Sequence, residues 1–516
     1  MYAKLRSKES ERCAIPFRTN KPRLCSIGSF SAIIFRNRED AISISDTDTN
    51  QQVVTRLRRN SLSLSHVVAS TLACIAPAMS FFFGFAVIVK GAGLGAPLTI
   101  VIAMVVILFL TNTIAQFSRF TPSVGSFVTF TGKAFGPAIG AAVSLFLTFG
   151  YIVAASTIVA IAGVWIAETL KTFLGLSINW IVITMAAAAA TGWLVMRGVA
   201  LSTLWSGVFF YFEAALLVLG GILMLIAHPH FLTIAPFRLA NVTGGLAGLG
   251  AGFPLAIYLF IGWENSAALA EETENPRQNI SRALITATLS IGIFYIFLAY
   301  ATVVGFRMDA HALGESQVPF IDALRGAAPA LLVVAYIAGI TSILGSMIGL
   351  VNSQARILFN SGREGLLPEF LGKIHPRHQT PRNAMWVFLF IAVALILGFT
   401  WIGKIAPMDY FGFAGTLGTI PIILTYMLTN LALPVYVIRH HRSELRIFRH
   451  VLLPVAGTLV MLFPLWGLIQ PGQSYPFNIF PLIALVVLVL SLLYGVVIAR
   501  LSPGLAHRIG AYVADQ

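Results

Sequence analysis

Two carboxylates, Glu213 and Glu264, are the ionisable residues that fall clearly inside long apolar stretches of this 516-residue chain. A carboxylate at the centre of a bilayer costs about 2.5–3.5 kcal/mol even on a lenient insertion scale, so each needs a partner or a task. Glu264 stands two residues after Gly262, where a helix is expected to loosen. There it can accept a proton, gate a substrate, or cap backbone N–H groups released by a helix break. Glu213 lies in a smooth apolar run, where it either carries a proton or hydrogen-bonds a neighbouring helix. The ten histidines offer no competing chemistry, because all fall at the ends of apolar stretches or between them. No His/Cys/Asp/Glu grouping has metal-ligand spacing, and neither a G-x-S-x-G elbow nor a P-loop occurs. No enzyme activity, metal or cofactor is expected.

The second chemical signal is a pair of interrupted helices. Pro77 precedes Phe82-Phe83-Gly84-Phe85, and Pro254 precedes Phe260-Ile261-Gly262-Trp263, the glycine following the proline by seven or eight residues. Paired interruptions at corresponding positions of two halves point to the binding site of a secondary transporter. Backbone groups freed by a break cannot face lipid and must line a cavity, where helix starts attract anions and free carbonyls attract cations. Gly and Pro also serve as ordinary packing points in membrane helices, which is the competing account of the same residues.

The elements that must hold these residues follow from composition. The chain is 57% hydrophobic and 10% charged, against about 25% charged in soluble domains, and its mean hydropathy is +0.84. Stretches free of Lys, Arg, Asp and Glu run 60–89, 91–118, 134–167, 172–196, 239–263, 283–306, 326–355, 383–403 and 410–438; 198–237 is broken only by Glu213. The uncharged stretch 450–499 would be about 75 Å long as one helix, so its central QPGQSYPFNIFP reads as the turn of a hairpin. Twelve transmembrane helices are expected, the first and sixth being the interrupted pair. With the N-terminus inside, the inner loops carry 16 of the 34 Lys and Arg, the outer loops 6 and the N-terminal tail 12, which places both termini in the cytoplasm. The net charge of +14 is therefore topology, and no nucleic-acid partner is expected. Residues 1–59 read as a basic, disordered cytoplasmic tail without a signal peptide. Cys13, Cys25 and Cys74 cannot build a disulfide framework.

Four segments carry a family resemblance. YLFIGWENSAALAEETENPRQNISRALI (258–285), GLVNSQARILFNSGREGLLPEFLGKIHPRHQTPRNA (349–384), FTPSVGSFVTFTGKAFGP (120–137) and GAGLGAPLTIVIAM (91–104) resemble, in order, signature stretches of the amino acid–polyamine–organocation superfamily. The resemblance implies an all-α LeuT-type fold. Residues 60–440 would form a 5+5 inverted repeat of ten helices, and 441–516 would add two peripheral helices and a short cytoplasmic C-terminus. It also implies alternating-access transport of amino acids across the cell membrane, with H+ coupling or exchange. An ethanolamine or polyamine permease, or a nutrient sensor without flux, is the alternative.

In relatives the unwound part of helix 1 binds the substrate carboxylate through its amides. Counting back from Gly93 puts it at Ala78, Met79, Ser80, Phe81 and Phe82. Both family glycines are replaced there, and Ser80 offers a hydroxyl. By the same resemblance Phe260, Gly262, Trp263 and Glu264 line the helix-6 side, with Trp263 or Phe260 as the occluding aromatic, and Tyr151 enters from helix 3. Glu213 stands where some proton-coupled relatives hold a lysine, so Glu213 and Glu264 are the coupling candidates. Glu271, Glu272 and Arg356, with Arg363 nearby, are candidates for an inner gate of salt bridges, and a solvated loop is the simpler reading of that cluster.

Overall fold

The computed structural model describes residues 57–502 and 504–510. Residues 1–56, which hold Cys13, Cys25 and nearly all of the basic tail, lie outside the described residues. Within them regular structure is helical, apart from one isolated parallel bridge between Leu62 and Thr273. Ten segments are long and apolar enough to cross a membrane, and the shorter Trp180–Met196 is also apolar. The protein is a polytopic helical membrane protein.

The segment Leu64–Phe120 has 57 residues; unbroken it would run about 85 Å, far beyond a ~30 Å hydrocarbon core. It consists of α1 (Leu64–Cys74), α2 (Pro77–Ala92) and α3 (Ala96–Phe120). Ala76, in the left-handed region at φ 54° and ψ 62°, ends α1, and Pro77 starts α2, where a missing N–H costs nothing. Then come α4 (Phe127–Phe135), α5 (Pro137–Leu174), α6 (Trp180–Met196), α7 (Val199–Ala227) and α8 (Gly245–Tyr258). Pro254 lies within α8 and the break falls after it, with Gly262 at φ 107° and a 3-10 stretch from Trp263 to Glu272. The chain continues as α9 (Pro276–Gly305), α10 (Ala310–Glu315), α11 (Pro319–Ala327), α12 (Leu332–Arg363), α13 (Arg382–Leu397) and α14 (Pro407–His440). The stretch 450–499 does fold as a hairpin, α15 (Leu453–Ile469) and α16 (Phe480–Leu501), before the short α17 (Leu505–Arg508).

Burial sorts the helices by role. The most apolar window of Pro137–Leu174 is 72% buried inside the protein, whereas that of Phe477–Leu501 is only 17% buried. So α5 runs through the middle of the bundle and α16 presents its Leu and Val side chains to lipid. Close approach is carried by small residues. On α12, Gly349 faces Cys74, and a Cβ there would come within 2.7 Å of the Cys74 Cβ. That contact seats α12 directly against the end of α1.

At the far end of α12 the chain's C-terminal segment docks back. Leu505 and Ile509 are buried, and the Gly510 amide donates to Glu364 Oε1 at 2.8 Å. Burial pushes the Glu364 carboxyl up from 4.5 to about 7, against the lowering effect of the Gly510 amide, Asn360, Arg363 and Lys133. An unfolded chain releases this proton near pH 4.5, so the folded state loses up to about 3 kcal/mol as pH rises from there to neutrality. Glu364→Gln should flatten that loss. The gap between the melting temperatures of the detergent-solubilised protein at pH 5 and pH 7.5 should narrow in the variant; an unchanged gap would show that the carboxyl does not titrate in this window.

Candidate functional site

The groups freed by the first break can be followed one by one. The Ile75 carbonyl accepts from the Ser80 hydroxyl at 2.6 Å, and the Cys74 carbonyl from the Ser346 hydroxyl at 2.7 Å. Among the amides, Ala76 N–H donates to Ala73 O, and Pro77 has none to place. The Ala78 N–H donates to Glu213 Oε2 at 3.2 Å, and the Met79 N–H to the Ser342 hydroxyl at 3.3 Å. Glu213 therefore crosses from α7 to cap the start of α2, with Ser342 of α12 beside it. A helix start carries a partial positive charge, which suits a carboxylate.

This corrects the expected position of the unwound stretch. Ala78, Met79, Ser80, Phe81 and Phe82 lie in the first turns of α2, and the interruption is at Ile75–Ala76, a few residues earlier. Proline is the reason: at the first position of a helix it favours a new start, so the loosened residues precede it. The amides of Ala78 and Met79 still face the break. Phe82 packs against Trp165 and Phe320 at ring separations of 5.8 and 5.7 Å.

At the second break Glu264 folds back on its own chain. Its Oε2 accepts from the Gly262 N–H at 3.1 Å and its Oε1 from the Tyr151 hydroxyl at 2.8 Å. Tyr151 of α5 and Glu264 are thus brought together, and Tyr426 of α14 stands beside them with its ring 6.0 Å from Trp263. A cavity of about 10 Å³, room for roughly one water molecule, is lined by Glu264, Tyr151, Asn265, Ser126, Ser353 and Gln354. Both amide atoms of Asn265, the Ser126 hydroxyl and Gln354 Oε1 lack protein partners. Trp263 and Phe260 are fully buried; Trp263 meets Tyr426, and Phe260 meets Tyr295 edge-on at 5.8 Å.

The two breaks touch. A Cβ on Gly262 would lie 3.4 Å from Cys74 Sγ and from the Ile75 backbone nitrogen. A cleft of about 290 Å³ lies further along the same two spans, lined by Phe83, Tyr258, Phe411, Gly415 and the exposed Lys90. Beyond the breaks on the other side, the four charged candidates form two ion pairs. Arg356 Nε meets Glu272 Oε2 at 2.6 Å and its Nη2 meets Oε1 at 3.1 Å, while Arg363 pairs with Glu271 at 3.0 Å. Arg356 also donates to the Asn352 carbonyl. Glu272 and Arg356 are 1% and 0% exposed, so this cluster is a buried pair of salt bridges and not a solvated loop. The segment before α1 is fastened to it: Leu57 N–H donates to Glu271 Oε1, and Ser61 and Leu62 N–H to the Glu272 carbonyl.

Tyr295, Tyr426, Ser342 and Ser346 escaped the sequence reading. The serines were signalled by the small-residue spacing of GITSILGSMIGL on α12, which lets a helix run close to a break. The tyrosines carry no local signal, since only the fold brings α9 and α14 to the breaks. Among the described residues no group of three His, Cys, Asp or Glu side chains could hold a metal ion.

A polytopic bundle whose two interrupted spans abut at buried carboxylates belongs with the membrane transporters, and not with the enzymes. Residues 62–493 match the family model described as amino acid permease, and the chain belongs to that family. It is 25% identical over 403 residues to the branched-chain amino acid permease BcaP of Bacillus subtilis (74% of this chain, 82% of that protein). It is 23% identical over 429 residues to the methylthioribose transporter of B. subtilis (78% and 87%). To the low-affinity putrescine importer PlaP of Escherichia coli it is 25% identical over 346 residues (66% and 74%).

Removing one partner from a buried ion pair leaves the other charge uncompensated, at a cost of about 3–5 kcal/mol, whereas an apolar replacement of both is close to neutral. Arg356→Met should therefore lower the melting temperature markedly, and Arg356→Met/Glu272→Met should recover most of the loss. Equal destabilisation of the single and double variants would show that the pair does not act as a unit.

Proposed function

We propose that this permease is a secondary active transporter that moves amino acids or related amines across the cell membrane by alternating access. Counting Leu64–Phe120 as two crossings and Trp180–Met196 as one gives twelve, in a 5+5 inverted repeat followed by α15 and α16. The low burial of both helices of that C-terminal hairpin supports a peripheral place for them. The distribution of Lys and Arg supports cytoplasmic termini.

The observation that carries this reading is the meeting of two helix interruptions, each capped by a carboxylate from within the bundle. No covalent chemistry is required of such a site. It binds a polar solute among groups the fold has already oriented, and exposes them first to one side and then to the other. The ion pairs of Glu271 and Glu272 would close the cytoplasmic end. The cleft at Lys90, at the opposite end of the first span, would be the entry from outside. Ala78, Met79, Ser80, Tyr151, Phe260, Gly262, Trp263 and Glu264 would surround or adjoin the substrate, and Phe82 would support the aromatic wall. The relatives' names cover a branched-chain amino acid, methylthioribose and putrescine, so family membership leaves the substrate class wide.

Purified protein in liposomes, offered radiolabelled amino acids and amines with and without an inward pH gradient, should show saturable uptake or counterflow of at least one compound. Absence of both across the panel would overturn the transport reading in favour of a sensor. Coupling has its own test. Glu264→Gln keeps the shape of the side chain but cannot give up a proton, so uptake between pH 5 and pH 8 should lose its pH dependence; an unaltered profile would remove Glu264 from the coupling mechanism.

A further inference from the structure

We infer that Glu213 takes the place of a substrate carboxylate at the start of α2, which makes the transported molecule an amine that lacks a carboxylate group and pairs its ammonium with Glu213. This deepens the proposed function and rests on it. The start of a half-helix inside a bilayer is the natural seat for an anionic group of a substrate. In this chain that seat is filled from within: Glu213 Oε2 holds the Ala78 amide, and Ser342 holds the Met79 amide. A substrate carboxylate would have to displace Glu213 or sit beside it, and like charges a few ångström apart repel strongly where water is scarce.

The surroundings of Glu213 ask for a cation. The side chain is 1% exposed, and among the described residues no Lys, Arg or His pairs with it. An ionised carboxylate so placed is costly until a positive charge joins it. Tyr295 supplies the independent sign of a ligand. Its hydroxyl is fully buried near Glu213; the Ser80 hydroxyl beside it is spent on the Ile75 carbonyl, and among the described residues no other side chain reaches it within hydrogen-bond geometry. Its ring stacks on Phe81 at 6.0 Å and meets Phe260 edge-on at 5.8 Å, so it joins α2 to the end of α8. A carboxylate, an unused hydroxyl and aromatic faces together suit an alkylammonium group.

The test compares matched pairs that differ only by the carboxylate: 3-methylbutylamine with leucine, putrescine with ornithine, and ethanolamine with serine. With the full-length protein, measured by thermal shift and by uptake into liposomes, the amine of at least one pair should be preferred at least tenfold. Glu213→Gln removes the charge but keeps the cap, and should lose that amine at least tenfold. Glu213→Ala vacates the amides and should shift preference towards the amino acid of the same pair. Preference for the amino acid in every pair by the unaltered protein, or undiminished amine uptake by Glu213→Gln, would overturn the inference while leaving transport intact. If a variant fails to fold, the comparison on the unaltered protein still decides. Failure to bind or move either member of any pair would bring down the transport reading itself, and this inference with it.

Discussion

Backbone amides and carbonyls find no partner in hydrocarbon, so every interruption of a membrane-embedded helix must be answered atom by atom from within the protein. Much of the central architecture serves that requirement. Ser80 and Ser346 take the carbonyls of Ile75 and Cys74, Glu213 and Ser342 take the amides of Ala78 and Met79, and Glu264 takes the amide of Gly262. These partners come from α2, α7, α12 and the 3-10 stretch itself. These five side chains tie the helices that carry them to the broken backbone they satisfy.

The same constraint explains what the sequence made legible. Composition and the spacing of charges exposed the long apolar helices, the hairpin of α15 and α16, and the two interrupted spans, because lipid punishes every exception. Glu213 and Glu264 stood out for that reason, and both proved to lie at a break. The inward pairing of Arg356 with Glu272 was visible as a cluster but not as a buried ion pair, since burial depends on how α12 meets the 3-10 stretch. The position of the first interruption was misplaced by a few residues, because the family glycines are absent and the count back from Gly93 stopped short of Pro77, the residue that restarts the helix. Tyr295 and Tyr426 were invisible, being ordinary residues on ordinary helices until the fold carries them inward.

Two kinds of carboxylate setting emerge from these contacts. Glu264 shares its site with two tyrosines and a cavity the size of one water molecule, lined by unpartnered amide and hydroxyl groups. That is a setting in which hydrogen bonds can be rearranged at little cost. Glu213 instead is held between a helix start and the Ser342 hydroxyl. One carboxylate thus borders a cavity with unpartnered polar groups, and the other is engaged by a helix start.

The stretch Leu57–Leu62 has a mechanical consequence. Its amides are tied to Glu271 and to the Glu272 carbonyl, and Glu274 N–H reaches back to the Leu62 carbonyl. Whatever displaces those glutamates must tug on the polypeptide leading into α1, and a pull on that lead-in must strain the glutamates in return. The lead-in to the first helix and the two glutamates are therefore mechanically joined, so that neither can shift without the other.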